Sequence, residues 1–321
     1  MSTEPVNPLP SPVALTQAPE GLRGGKLLVL GGGYTGERFA RAVAALGVPV
    51  VLTRRQPPRP APPVQPLISW DVFDGEKGLL PSDEAWAGTT HVLVTIPPAT
   101  DGRDPVLTWL AAHLARLPLR WLGYLSTTGV YGDTQGAWVN EDAPTPAGLG
   151  RSQARLNCEA AWRSSGLPVQ VFRLPAIYGP QRSAFRSLAL GQGRLIHKRG
   201  QVFCRIHVDD IVGALLHCLS LEAPHRPPVL NLSDDEPCPT SETLGYAAHL
   251  LGCPLPEVQS FEEIAATMGP MAQSFWLENR RVCNRRLCQE LGYVLRYRTY
   301  REGFRSILLA ERQEGSEASN P

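Results

Sequence analysis

The stretch Lys26-Leu-Leu-Val-Leu-Gly-Gly-Gly-Tyr-Thr-Gly-Glu-Arg-Phe39 constrains this chain more than any other. Leu27 to Leu30 make a short apolar run suited to a strand buried on both faces. Glycines follow at 31, 33 and 36, and Phe39, Val43 and Leu46 then recur at helical spacing. Strand, glycine turn and helix in that order form the context of a dinucleotide fingerprint. Gly31 permits the tight turn, Gly33 lets a pyrophosphate approach the backbone, and Gly36 lets helix and strand pack closely. The helix start, at Tyr34 and Thr35, then presents unpaired N–H groups to the phosphates. The expected fold is α/β, a doubly wound parallel Rossmann sheet, with Gly31, Gly33, Tyr34, Thr35 and Gly36 as cofactor contacts.

A chain of 321 residues has ample core for that fold, and its net charge of +1 gives no sign of a nucleic-acid or membrane surface. The seven cysteines show no C-x-x-C pair, which fits free thiols in a reducing cytoplasm and argues against zinc or a disulfide framework. No metal ligands are expected. No apolar run reaches transmembrane length, and the N-terminus lacks the apolar core of a signal peptide. The expected partner is a small-molecule substrate, with the protein acting as monomer or homodimer.

Further along, Val48 to Leu52 reads as a second strand ending in Thr53-Arg54-Arg55. Roughly 20 residues after the glycines, an acidic residue bonds the ribose 2′-OH of NAD, whereas an arginine accommodates the 2′-phosphate of NADP. No Asp or Glu lies between 47 and 60, so Arg54 and Arg55 favour NADP over NAD, unless they are simply solvated. Six prolines between Gln56 and Pro66 exclude a helix, making the crossover to the strand Leu67–Ser69 an extended loop. Asp71 just beyond faces the adenine or caps a turn. His91–Ile96 is the fourth strand, stopped at Pro97-Pro98, which puts Ile96 and Pro97 among the cofactor contacts. Asp104 as N-cap and Pro105 at N1 open a helix with Val106, Leu107, Leu110 and Leu114 buried. Trp121–Leu125 is the fifth strand, and it runs into the hydroxyl cluster Ser126-Thr127-Thr128 at the sheet edge where ligands bind.

Leu125-Ser-Thr-Thr-Gly-Val-Tyr-Gly132 resembles the strand and loop of the extended short-chain dehydrogenase/reductases, the nucleotide-sugar epimerase/dehydratase group. Phe172-Arg-Leu-Pro-Ala-Ile-Tyr-Gly-Pro180 is similar to that group's sixth strand, and Arg205-Ile-His-Val-Asp-Asp-Ile211 to its Ile-His-Val-x-Asp segment. With the glycine turn these motifs span about residues 26 to 310, and the best fit is to an atypical branch with degenerate active sites. The resemblance implies a Rossmann domain over 25–180, with 201–235 returning to it. It also implies a small discontinuous C-terminal substrate lobe from 181–200 and 236–310. Residues 1–24 and 311–321 read as disordered tails.

Degeneracy shows in the catalytic motif. The family uses Tyr-x-x-x-Lys at a helix start, with a Ser or Thr from the preceding strand; Thr127 fills the latter slot. Matching the family's Glu to Glu159 puts Arg155 in the Lys slot and Arg151 in the Tyr slot, while a second register gives Leu149 and Gln153. Neither supplies a tyrosine. Arg155 can hold a ribose but relays protons poorly. The replacement acids are Tyr131 and Tyr178, unless both are packing residues. Asp104 falls near the family's active-site Asn. Thr128, Tyr178 and Arg205 fall in substrate-facing positions, while Phe203 occupies the slot of a phosphate-binding arginine. His207 and Asp209 read as structural. The resemblance thus implies an NADP-dependent oxidoreductase or epimerase-like enzyme on a small polar substrate, or a catalytically silent NADP-binding sensor or scaffold.

Overall fold

The apolar run Leu27–Leu30 is a strand, β1, with all four side chains buried, and alternate residues face opposite layers. The computed structural model describes residues 17–56, 65–146 and 150–317. β1 is joined by β2 Val50–Arg54, β3 Ile68–Val72, β4 His91–Val94, β5 Trp121–Thr127, β6 Val169–Leu174 and β7 Val229–Asn231. These seven strands form one sheet in the order β7-β6-β5-β4-β1-β2-β3, and each pair is parallel. The order reverses between β1 and β4. A doubly wound sheet binds its ligand at such a switch point, outside the C-terminal strand ends.

In chain order the helices are α1 Tyr34–Ala45, α2 Asp83–Trp86, α3 Pro105–Leu114, α4 Arg151–Arg163, α5 Ala184–Ala189, α6 Val208–Ser220, α7 Thr240–Leu251, α8 Phe261–Ile264, α9 Pro270–Trp276 and α10 Tyr300–Glu317. Leu27 and Val29 pack with Phe39 and Val43 of α1 and Ile211 and Leu215 of α6. Leu28 and Leu30 face the other layer, with Val106 and Leu110 of α3 and Trp162 of α4. Burial on both faces is the reason β1 reads as an unbroken apolar run and β4 as one after His91. Separate cores lie outside the main sheet: Phe185, Ala247, Tyr300 and Phe304 tie α5, α7 and α10 together, and Ile196, Phe261, Ile264 and Trp276 join α8 and α9.

Several expectations change. Residues 1–16, most of the first tail, lie outside the described residues, but Glu20–Leu22 form a 3-10 turn with Leu22 fully buried in the main core. Residues 311–317, read as part of the second tail, instead continue α10 to Glu317. Arg286–Glu290 form a π-helical turn. Val229–Asn231, within the 201–235 stretch expected to return, pairs with β6.

Candidate functional site

The parallel strands send the ends of β1, β4 and β5 to one sheet edge. At the first, Gly31 has φ +108°, and a Cβ there would lie 2.4 Å from the Thr95 hydroxyl and 3.0 Å from Ile96, so only glycine fits. Gly36 must also lack a Cβ, which would sit 2.3 Å from the Gly31 carbonyl oxygen; this closeness seats α1 against the turn. Gly33 differs. It is exposed, and a Cβ on it would meet nothing within 4 Å. Gly33 is also the N-cap of α1, and no side chain caps that helix. The first N–H groups of α1, at Tyr34 and Thr35, are thus left to solvent or a ligand beside an open glycine. The Tyr34 side chain turns away, donating to the Pro180 carbonyl at 2.9 Å under the Arg38 guanidinium. Ile96 is half-buried and Pro97 exposed next to this turn.

Beside it, Arg54 at the end of β2 donates to the Gly32 carbonyl at 2.8 Å and pairs with Glu37 of α1 at 2.7 Å. Its guanidinium lies 4.5 Å from the Trp70 ring centre. Arg55 is exposed and has no ion-pair partner among the described residues. Asp71 lies within β3 and accepts from the Val72 and Ser82 N–H groups and the Ser82 hydroxyl. These bonds tie β3 to the start of α2 at Ser82.

At the end of β5, the half-buried Thr127 hydroxyl accepts from the Gly129 N–H at 3.1 Å, which leaves its own proton to donate. Arg155 donates to the Leu125 carbonyl at 3.2 Å and the Tyr124 hydroxyl at 3.1 Å. Gln153 bonds Asn157 along its own helix, and Leu149 lies outside the described residues. Of the described residues in the two registers, Arg155 is the one that bonds to β5. Glu159, one turn on, is buried and bonds Ser126 at 2.5 Å and Arg173 at 2.8 Å.

The remaining expected site residues turn inward, which corrects the site roles given to Tyr131, Tyr178, Thr128 and Arg205, while Asp104 and His207 take the capping and structural roles also expected of them. Tyr131 has no exposed surface; its hydroxyl donates to Asn231 at 2.8 Å and accepts from Arg173 at 3.0 Å. Burial raises its phenol above the usual range, with Arg173 opposing, so it is a poor proton donor to any ligand. Tyr178 is packed between His207 and Phe304, and burial pushes its phenol well up too. Asp104 caps α3 through the Val106 and Leu107 N–H groups and takes the Trp162 indole N–H at 2.8 Å. Thr128 is buried, and so is Arg205, which donates to the Phe203 and Cys238 carbonyls. His207 caps α6 by accepting the Asp209 N–H.

Three residues at this edge escaped the sequence reading. Trp70 and Glu37 flank Arg54, and only the strand alternation of β3 hinted at Trp70. Phe275 of α9 lies under the Arg151 guanidinium at 4.7 Å, a contact over more than a hundred residues that no local pattern announces.

No family model matches the chain. A functionally unknown conserved protein from Silicibacter pomeroyi DSS is 39% identical, with a TM-score of 0.77, covering 89% of this chain and 99% of that one. The human epimerase family protein SDR39U1 (isoform 2), solved with NADPH, is 22% identical at a TM-score of 0.68, covering 88% of this chain and 98% of its own. A UDP-glucuronic acid 4-epimerase from Bacillus cereus, in complex with NAD, is 15% identical at 0.65, covering 87% and 96%. Among curated proteins, a 3-diazoavenalumate denitrifying reductase from Streptomyces sp is 29% identical over 173 residues, 50% of this chain. The chain spans about half the length of that relative, 54%.

Proposed function

Because this chain belongs to the same family as the Silicibacter pomeroyi protein and carries the extended short-chain dehydrogenase/reductase fold, we propose that it is an NADP(H)-dependent oxidoreductase or epimerase-like enzyme on a small polar substrate. One observation carries this reading: the uncapped start of α1 faces open space across Gly33, in line with Arg54 and with Thr127 and Arg155 on the same sheet edge. The residues present fit the group. The N–H groups of Tyr34 and Thr35 hold the pyrophosphate, and Gly33 admits it. Arg54 and Arg55 receive the 2′-phosphate, with Trp70 holding the Arg54 plane. Ile96 and Pro97 wall the passage from β1 towards β5.

When bound, the cofactor supplies or takes up hydride. The chain's own part is to orient the substrate beside it: the Thr127 hydroxyl donates, and the unused guanidinium nitrogens of Arg155 hold a ribose or an anion. The cleft in this reading lies between the portion built from 25–180 with 201–235 and the lobe built from 181–200 and 236–310. The name of the Streptomyces relative supports reduction rather than sugar epimerisation. No helix among the described residues is long and apolar enough to cross a membrane. All seven cysteines are free, which fits a reducing compartment such as the cytoplasm.

A second reading is an NADP-binding sensor or scaffold without turnover. The burial of both loop tyrosines favours it, since each leaves the site without a phenolic acid. Calorimetric titration with NADPH tests what the readings share, and a screen of carbonyl compounds and organic acids for NADPH oxidation separates them. Binding with turnover supports the enzyme. Binding without turnover across the screen supports the sensor, and no binding refutes both.

A further inference from the structure

Arg151 and Arg155 stand one turn apart on the face of α4 that meets β5. Arg155 spends only Nη1 on Tyr124 and Leu125. Neither arginine has an ion-pair partner among the described residues. Two like charges one turn apart on a helix repel, eased only by the more distant Asp104 carboxylate near Arg155, and their free N–H donors suit a carboxylate. Opposite them is α9. Its Trp276 is anchored against Phe203 and Phe261, with ring centres 5.0 and 5.5 Å apart. One face of the same short helix holds Phe275 and Met271 outward, 52% and 63% exposed, with Phe275 against Arg151. Large apolar side chains left in water beside unpaired cations form a wall for a ligand that is apolar at one end and anionic at the other.

We propose that this site takes a small aromatic carboxylate, its acid group forked by Arg151 and Arg155 and its ring laid on Phe275 and Met271. The assignment deepens the enzyme reading above and rests on it for the position of the cofactor. A nucleotide diphosphate is disfavoured by Phe203. The family resemblance puts a phosphate-binding arginine there, whereas this ring is packed edge-on to Trp276.

The test is calorimetric titration of the full chain with 4-hydroxycinnamate, its neutral amide and UDP-glucose, each with and without saturating NADP. The acid is expected to bind at least about 10-fold more tightly than the amide, the worth of one charge-assisted bond. Arg151→Gln should abolish that preference and Arg151→Lys restore part of it. Phe275→Ala should weaken acid and amide alike, and NADP affinity should hold in all three variants. Equal binding of acid and amide overturns the proposal, as does an undiminished preference in Arg151→Gln or tighter binding of UDP-glucose than of the acid. Failure of NADPH to bind refutes the cofactor reading instead, and the acid-to-amide ratio in the cofactor-free protein still decides the chemistry of this pocket.

Discussion

Arg54 and Glu37 pair at 2.7 Å across the mouth of the glycine turn, tying the end of β2 to the first turns of α1. The other Glu37 oxygen is held by Arg41, also at 2.7 Å. The carboxylate absent from residues 47–60 is thus supplied from α1, and on the NADP reading it would compete with the 2′-phosphate for Arg54.

The first prediction concerns that competition. Glu37→Gln should strengthen NADPH binding by about 2- to 5-fold, the worth of a partly exposed ion pair, and leave NADH unchanged. Replacing Arg54 and Arg55 together by Ala should weaken NADPH binding by about 10- to 100-fold. Equal affinities for NADH and NADPH in the unaltered protein would contradict the assignment.

The glycines separate fold from function. Gly36→Ala drives a Cβ against the Gly31 carbonyl and should lower stability by about 1–3 kcal/mol in a denaturant titration. Gly33→Ala has room in the fold and should melt like the parent, yet lose about 10-fold or more in cofactor affinity by crowding the pyrophosphate. An alanine at 33 that binds cofactor normally would move the phosphate site elsewhere.

Tyr131 offers a check on its reassigned role. Removing its hydroxyl leaves Asn231 and Arg173 each short of a buried partner. Tyr131→Phe should therefore cost about 1–3 kcal/mol of stability while kcat on any substrate found stays within about twofold. A loss of turnover at unchanged stability would return Tyr131 to the chemistry.

The fourth prediction is a pH dependence. His207 accepts the Asp209 N–H on Nδ1, so its proton sits on Nε2, which is buried without a partner. Burial, with Arg296 and Arg38 adding to it, pushes the imidazole down to about 3. The unfolded chain takes the proton first as pH falls, so this stability is complete above about 6.5 and drains away towards 3, with about 2 kcal/mol gone by pH 5. Asp210 works the other way: burial pushes it up to about 6, so its protonation offsets part of the loss below that pH. Urea titrations at pH 7.5 and 5 should show His207→Asn losing less stability on acidification than the parent. Equal losses would mean His207 does not titrate as assigned.

The strand, glycine turn and helix at 27–45 and the Asp104 cap were legible in order along the chain. Each rests on local chemistry: apolar runs for strands buried on both faces, a glycine where a Cβ cannot fit, a carboxylate where helix N–H groups lack partners. The absence of the family's tyrosine was likewise plain from residues 149–155 alone. What those residues face was not. The positions of Tyr131 and Tyr178 suggested two sheet-edge acids. The structure instead seats one phenol on Asn231, a hundred residues away, and wedges the other between His207 and Phe304. Glu37 meets Arg54 only because β2 lies beside β1 and α1, and Phe275 meets Arg151 only because packing brings α9 against the start of α4. Backbone conformation is set by neighbours in sequence, whereas a side chain's partner and protonation are set by whatever packing brings within a few ångströms.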